Sequence, residues 1–169
     1  GHNPGGSVKD RAASNMIKVG LETGQIKSGD HLIEATSGNT GIALAMAANI
    51  FGIEITLVMP ESATEERKKT MKAYGANLLL TPAEKTIEYA REVAVEHAKT
   101  DKYVMLNQFV NPNNPLAHYY STGPEIWRDT QHKVTHFISA MGTTGTIMGV
   151  SKFLKEQNNN VTIVGAQPA

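Results

Sequence analysis

The chain has 169 residues, 40% of them hydrophobic, with 16 basic side chains set against 16 acidic ones and no cysteine. That is enough for one ordinary domain or one and a half small ones, and the charge balance leaves no footprint for nucleic acid or an anionic membrane surface. Disulfides, thiolate metal sites and cysteine nucleophiles drop out together, which suits a reducing cytosol.

In chain order, Asn3-Pro4-Gly5-Gly6-Ser7-Val8-Lys9-Asp10-Arg11 leads into a helix from Lys9 to about Leu21. From residue 31 strands and helices alternate. His31 to Ala35 reads as a short strand, followed by the polar loop Thr36-Ser37-Gly38-Asn39-Thr40-Gly41. A small-residue helix then runs to about Phe51 with Ile42, Ala45, Met46 and Ala48 packed close. Ile53 to Met59 is rich in β-branched residues, as a buried strand is. Ser62-Ala63-Thr64-Glu65 has the spacing of a capping box and opens a charged helix that Gly75 closes. Ala76 to Leu80 is the next strand. Thr81-Pro82-Ala83-Glu84 offers an N-cap, a proline at the first helical position and a glutamate behind them, so a helix is predicted there that buries Ile87, Ala90, Ala94 and Ala98. Tyr103 to Leu106 is a strand. The Pro/Asn-rich loop 111–115 leads to a helix through Trp127, then come a strand at Val134–Ser139, a helix from Gly145 to about Gln157 and a strand at Val161–Val164.

Strict alternation with short connections predicts an α/β fold with parallel sheets flanked by helices. Two domains are expected, 1–112 and 113–169. No apolar run approaches the ~18 residues of a membrane span, and no signal-peptide pattern is present, so the expected location is the cytoplasm. The chain starts at Gly1 without methionine and stops at Ala169 just after a strand-like run, and it is expected to be cut from something longer at both ends.

Three loops could carry chemistry. Gly142-Thr143-Thr144-Gly145-Thr146 follows a strand and opens a helix, where convergent N–H groups, the helix dipole and three hydroxyls suit a phosphate. It lacks the Walker lysine and the dinucleotide glycine spacing, and its plain alternative is a tight turn with threonine caps. The 36–41 loop could hold a carboxylate, or could be an ordinary N-cap in which Asn39 or Ser37 satisfies the helix N–H groups. Lys9 stands at a helix start, where the dipole disfavours its charge; partial desolvation there would favour the neutral amine. A surface lysine is the plain alternative, and Asp10 with Arg11 reads as a local ion pair or cap. The histidines His31, His97, His118, His132 and His136 share no ligand spacing, which argues against a metal, and Met46, Met71 and Met148 read as core filler. A lysine, a phosphate cradle and a carboxylate loop at one edge of a parallel sheet point together to pyridoxal 5'-phosphate.

Four ordered motifs, 3–11, 34–41, Asn107-Gln108-Phe109-Val110-Asn111-Pro112-Asn113-Asn114-Pro115, and Ser139-Ala140-Met141 running into the 142–146 loop, resemble the O-acetylserine sulfhydrylases. These are cysteine synthases of the fold-type II, tryptophan-synthase-β-like group. Thr144, Thr122-Gly123-Pro124-Glu125-Ile126-Trp127 and Ile42-Ala43-Leu44-Ala45-Met46 resemble the B isozyme. The resemblance implies that Lys9 carries the cofactor and removes the substrate α-proton, and that Asn39 bonds the cofactor ring hydroxyl. Gly142, Thr143, Thr144, Gly145 and Thr146 would hold the phosphate. Thr36, Ser37, Gly38, Thr40 and Gln108 would hold the substrate carboxylate. It further implies O-acetylserine with sulfide or thiosulfate as substrates, and a homodimer for the parent enzyme. The alternatives are a cystathionine β-synthase-like enzyme and a catalytically incomplete fragment.

Overall fold

The computed structural model describes residues 2–100 and 102–167; the readings of the chain ends that rest on Gly1, Pro168 and Ala169 lie outside them. The chain forms two compact units, Gly1–Asn107 and Gln108–Ala169.

In the first unit, β1 (His31–Ala35), β2 (Glu54–Pro60), β3 (Asn77–Thr81) and β4 (Tyr103–Met105) make a parallel sheet in the order β3-β2-β1-β4. Successive strand residues face opposite ways, and the core divides accordingly. Leu32, Ile55, Leu57 and Met59 pack with α1 (Lys9–Glu22), α2 (Asn39–Phe51) and Met71 of α3 (Glu65–Ala73). Ile33, Ala35 and Val58 pack with Ala90 and Ala94 of α4 (Ile87–Ala98) on the other side. Alanines and Gly41 let α2 lie close to its neighbours, since a Cβ on Gly41 would stand 2.7 Å from the Met71 methyl.

Strand order makes β1 a switch point. From β1 the chain steps outward through β2 to β3, then returns to β1's other side as β4. In open parallel sheets the crevice beyond the carboxyl ends of such a strand pair is where ligands bind. Here that crevice is bounded by the 36–38 turn after β1 and by Leu106–Asn107 after β4.

The second unit holds the parallel pair β5 (His136–Ala140) and β6 (Thr162–Ala166). Beside it lie α5 (Asn113–Ala117), a π-helical turn (His118–Thr122), α6 (Gly123–Asp129) and α7 (Gly145–Gln157), around a core of Val150, Leu154 and Val161. Among the described residues no helix is long and apolar enough to cross a membrane.

Several local expectations change. The break between units falls at 107/108, ahead of the 112/113 boundary drawn from the proline-rich loop. The Asn107 N–H is tied to Glu34 of β1, whereas the Gln108 carbonyl is tied to Asn114. Thr64, not Ser62, precedes α3, and its side chain makes no capping bond. Thr81 is the last residue of β3, paired with Pro60, so it cannot open α4. A turn closed by Lys85 N–H on the Pro82 carbonyl intervenes, α4 starts at Ile87, and Ile87 is 39% exposed instead of buried. The helix predicted through Trp127 is broken by the π turn. Met148 is 55% exposed and fills no core.

Candidate active site

In the first unit the loop before Lys9 is folded back on α1. Gly6 N–H closes a turn on the Asn3 carbonyl at 2.9 Å, and Gly6 has φ +85°, the left-handed region that suits glycine. Gly5 N–H donates to Asp10 Oδ2 at 2.7 Å, and a Cβ on Gly5 would stand 2.6 Å from Asp10 Oδ1. Arg11 Nε donates to Asn3 Oδ1 at 3.2 Å, and Lys9 N–H to Ser7 Oγ at 3.2 Å. Asp10 and Arg11 are therefore not the local ion pair read from their adjacency; each clamps a different part of the preceding loop. Lys9 is half-buried, and burial lowers the pKa of its amine from the usual 10.5. The neutral amine that nucleophilic and base chemistry needs is thereby favoured.

Beyond β1, Thr36 N–H bonds the Val58 carbonyl at 3.1 Å, keeping the loop in the sheet's line. Thr36 and Thr40 are buried, Ser37 and Gly38 half-buried, and Asn39 exposed. Gly38 is the N-cap of α2, with no side-chain capping bond, so neither Ser37 nor Asn39 caps the helix. The first N–H groups of α2 keep their capacity for an anion. Asn39 also borders an open cleft of about 380 Å³ with Ile42, Thr64 and Arg67. Glu34, 2% exposed, accepts the Asn107 N–H at 2.8 Å and so joins the ends of β1 and β4 at the switch point. Asn107 itself is left-handed, at φ 51°.

In the second unit Thr144 precedes α7 with φ 63°, and Gly145 is its first residue. Asn114, 3% exposed, donates from Nδ2 to the Gln108 carbonyl at 2.9 Å and to Thr143 Oγ1 at 3.0 Å. A Cβ on Gly145 would collide with the Asn114 amide. One turn on, His118 is fully buried, with Nδ1 3.0 Å from Thr122 Oγ1 and Nε2 3.3 Å from Thr146 Oγ1. Thus Thr143, Gly145, Thr146 and Gln108 are gathered around Asn114 and His118, while Gly142 and Thr144 are exposed. Lys9, Thr36, Ser37, Gly38, Asn39 and Thr40 belong to the first unit.

Sequence reasoning misses Glu34, Asn114 and His118 as site residues. The first two lie inside two of the four motifs, which is the one signal that could have found them; His118 enters the sequence reading only among histidines whose spacing argues against a metal.

The whole chain, residues 1–169, matches the family described as pyridoxal-phosphate dependent enzyme. It is 56% identical over 168 residues to cysteine synthase B of Escherichia coli (strain K12) and 58% identical over 168 residues to that of Pseudomonas aeruginosa. Each alignment covers 99% of this chain but only 55% and 56% of the relative, so the chain spans about half their length. Among solved structures, the cysteine synthase of Entamoeba histolytica superimposes with a TM-score of 0.95 at 43% identity, covering 98% of this chain and 49% of that one. The fold is accordingly that of the fold-type II enzymes, and the chain belongs to the pyridoxal-phosphate-dependent enzyme family.

Proposed function

We propose that the protein carries out pyridoxal-phosphate-dependent β-replacement, converting O-acetyl-L-serine and sulfide to L-cysteine and acetate, with thiosulfate as a second donor giving S-sulfocysteine. The observation that carries this reading is Lys9, a half-buried amine of lowered pKa at the end of a loop clamped by Asp10 and Arg11. The residues fit the cofactor. Gly145 has no room for a side chain beside Asn114, and Thr143 and Thr146 bring hydroxyls to the start of α7, as a phosphate cradle requires.

In this reading the cofactor, when bound, supplies the electron sink that makes the substrate α-proton acidic. Lys9 Nζ would hold the cofactor and, as a free amine, take the α-proton, a task for which its depressed pKa suits it. Thr36, Ser37, Gly38 and Thr40, at the uncapped start of α2, hold the amino-acid carboxylate together with Gln108. Asn39 orients the cofactor ring. Closure of the 36–41 loop on the carboxylate excludes water while acetate leaves and sulfur adds. The same reading makes the enzyme a cytoplasmic homodimer.

The test is an absorbance spectrum with pyridoxal phosphate, before and after O-acetylserine, beside Lys9→Ala. A visible band in the parent protein alone, shifting with substrate, is the expected result. No band in either protein, at the correct intact mass, would overturn the reading for this chain and leave a fragment without the activity.

A further inference from the structure

Asn114, in the second unit, touches both a predicted substrate-binding residue and the predicted phosphate loop. Its partners dictate its hydrogen-bond polarity. The Gln108 carbonyl oxygen has no proton to give, so the group facing it must be the amide nitrogen. Nδ2 has two protons, and the other one is directed at Thr143 Oγ1. Thr143 Oγ1 is then the acceptor of that pair, and its single proton must be donated in another direction. The amide cannot be reversed without setting two oxygens, Oδ1 and the Gln108 carbonyl, against each other in a buried place. On its other side Asn114 Oδ1 is buried without a hydrogen-bond partner and lies against Gly145.

We propose that Asn114 is a positioning residue that makes the Thr143 hydroxyl an obligate donor toward a phosphate in the 142–146 loop, while the same amide fixes the backbone of Gln108. The Thr143 hydroxyl and the Gln108 backbone are thereby set by one side chain. This rests on the function proposed above. An aspartate at 114 would keep the shape and invert the chemistry. Its carboxylate would take the Thr143 proton, turn the hydroxyl's lone pairs toward the phosphate, and set an oxygen against the Gln108 carbonyl.

The experiment compares the affinity for pyridoxal phosphate with that for pyridoxal, which lacks the phosphate, and follows inorganic phosphate by the amide shift of Gly145. The variants are Asn114→Asp, Asn114→Ala, Thr143→Val, Thr143→Ser and the Asn114→Ala/Thr143→Val pair. Asn114→Asp is expected to cut the preference for the phosphorylated form by about tenfold to hundredfold, the worth of a hydrogen bond to a charged group. Pyridoxal binding should hold within about twofold, because it does not use the loop. Thr143→Ser should retain the preference, and Asn114→Ala should add little in the Thr143→Val background. That last comparison carries the test if the aspartate variant fails to fold. A Thr143→Val protein that loses the preference while both Asn114 variants keep it would overturn the inference and leave the function standing. A parent protein that takes up neither pyridoxal phosphate nor inorganic phosphate would overturn both.

Discussion

The 36–41 loop in the first unit and the 142–146 loop in the other share a composition. Each is rich in threonine and glycine and lies where a strand gives way to a helix. Their surroundings differ. Ser37, Asn39 and Thr40 have no side-chain hydrogen bond among the described residues, and α2 begins uncapped at an extended Gly38. The 142–146 loop is braced from below by two buried polar side chains, Asn114 and His118, and turns through a left-handed threonine. Polar groups left to the solvent side of a helix start can be taken over by a ligand at little cost. Polar groups tied to buried partners hold their directions before a ligand arrives. The 36–41 loop leaves most of its polar side chains uncommitted, whereas the 142–146 loop is held by buried partners.

The sharpest way to break this comparison is Gly145→Ala. The added methyl would meet the Asn114 amide, whereas a Cβ on Gly142, in the same loop, meets nothing within 4 Å. Overpacking of this kind costs about 1–3 kcal/mol, so Gly145→Ala should lower the urea midpoint clearly while Gly142→Ala leaves it nearly unchanged. Equal effects would mean that the loop is not braced by Asn114.

Next in size is His118→Leu. The imidazole is fully buried between Thr122 and Thr146, and its loss leaves two half-buried hydroxyls without that partner. The expected destabilisation is about 1–3 kcal/mol by denaturant melting. The matching change in the other loop, Ser37→Ala, should fall within about 0.5 kcal/mol, because the half-buried Ser37 hydroxyl has no hydrogen bond to lose among the described residues. A neutral His118→Leu would remove the contrast between the loops.

These braces explain what the sequence could and could not disclose. The helices at 39–51 and 145–157 are legible because a polar, glycine-containing turn after a strand marks the start of each locally. Thr81 misleads because strand pairing with Pro60, a tertiary event, overrides a good local capping pattern. Glu34, Asn114 and His118 act on partners 73, 29 and 28 residues away, and no local periodicity encodes such a distance. The motif loops are visible as motifs; the side chains that hold them still are not.

A smaller effect concerns Lys9 and carries a definite sign. Burial lowers its folded pKa below 10.5, so over the window between the two values the unfolded chain binds a proton that the folded chain does not. Below that window both states are protonated and the penalty for the buried charge is complete; it fades as pH rises and is gone above 10.5. The parent should therefore gain stability relative to Lys9→Met as pH rises toward 10.5, a trend the midpoints of paired urea melts would reveal. A difference that does not change with pH would mean that the amine is solvated.

The smallest effect belongs to Thr144, and it tests whether rigidity in the 142–146 loop comes at a conformational cost. A β-branched residue at φ 63° sits in a region that disfavours it by about 1–2 kcal/mol, and glycine would remove that strain. Against this, glycine adds about 0.5–1 kcal/mol of backbone freedom to the unfolded chain, and the Thr144 hydroxyl would lose its 3.2 Å contact with Met148 sulfur. The two terms nearly cancel, so Thr144→Gly should shift stability by no more than about 1 kcal/mol, toward the stable side. Backbone relaxation measurements should nevertheless show residues 142–146 becoming more mobile, because relief of strain and loss of stiffness are separate quantities. If the loop stays as ordered with glycine as with threonine, its rigidity rests on Asn114 and His118 alone, and the left-handed threonine contributes none of it.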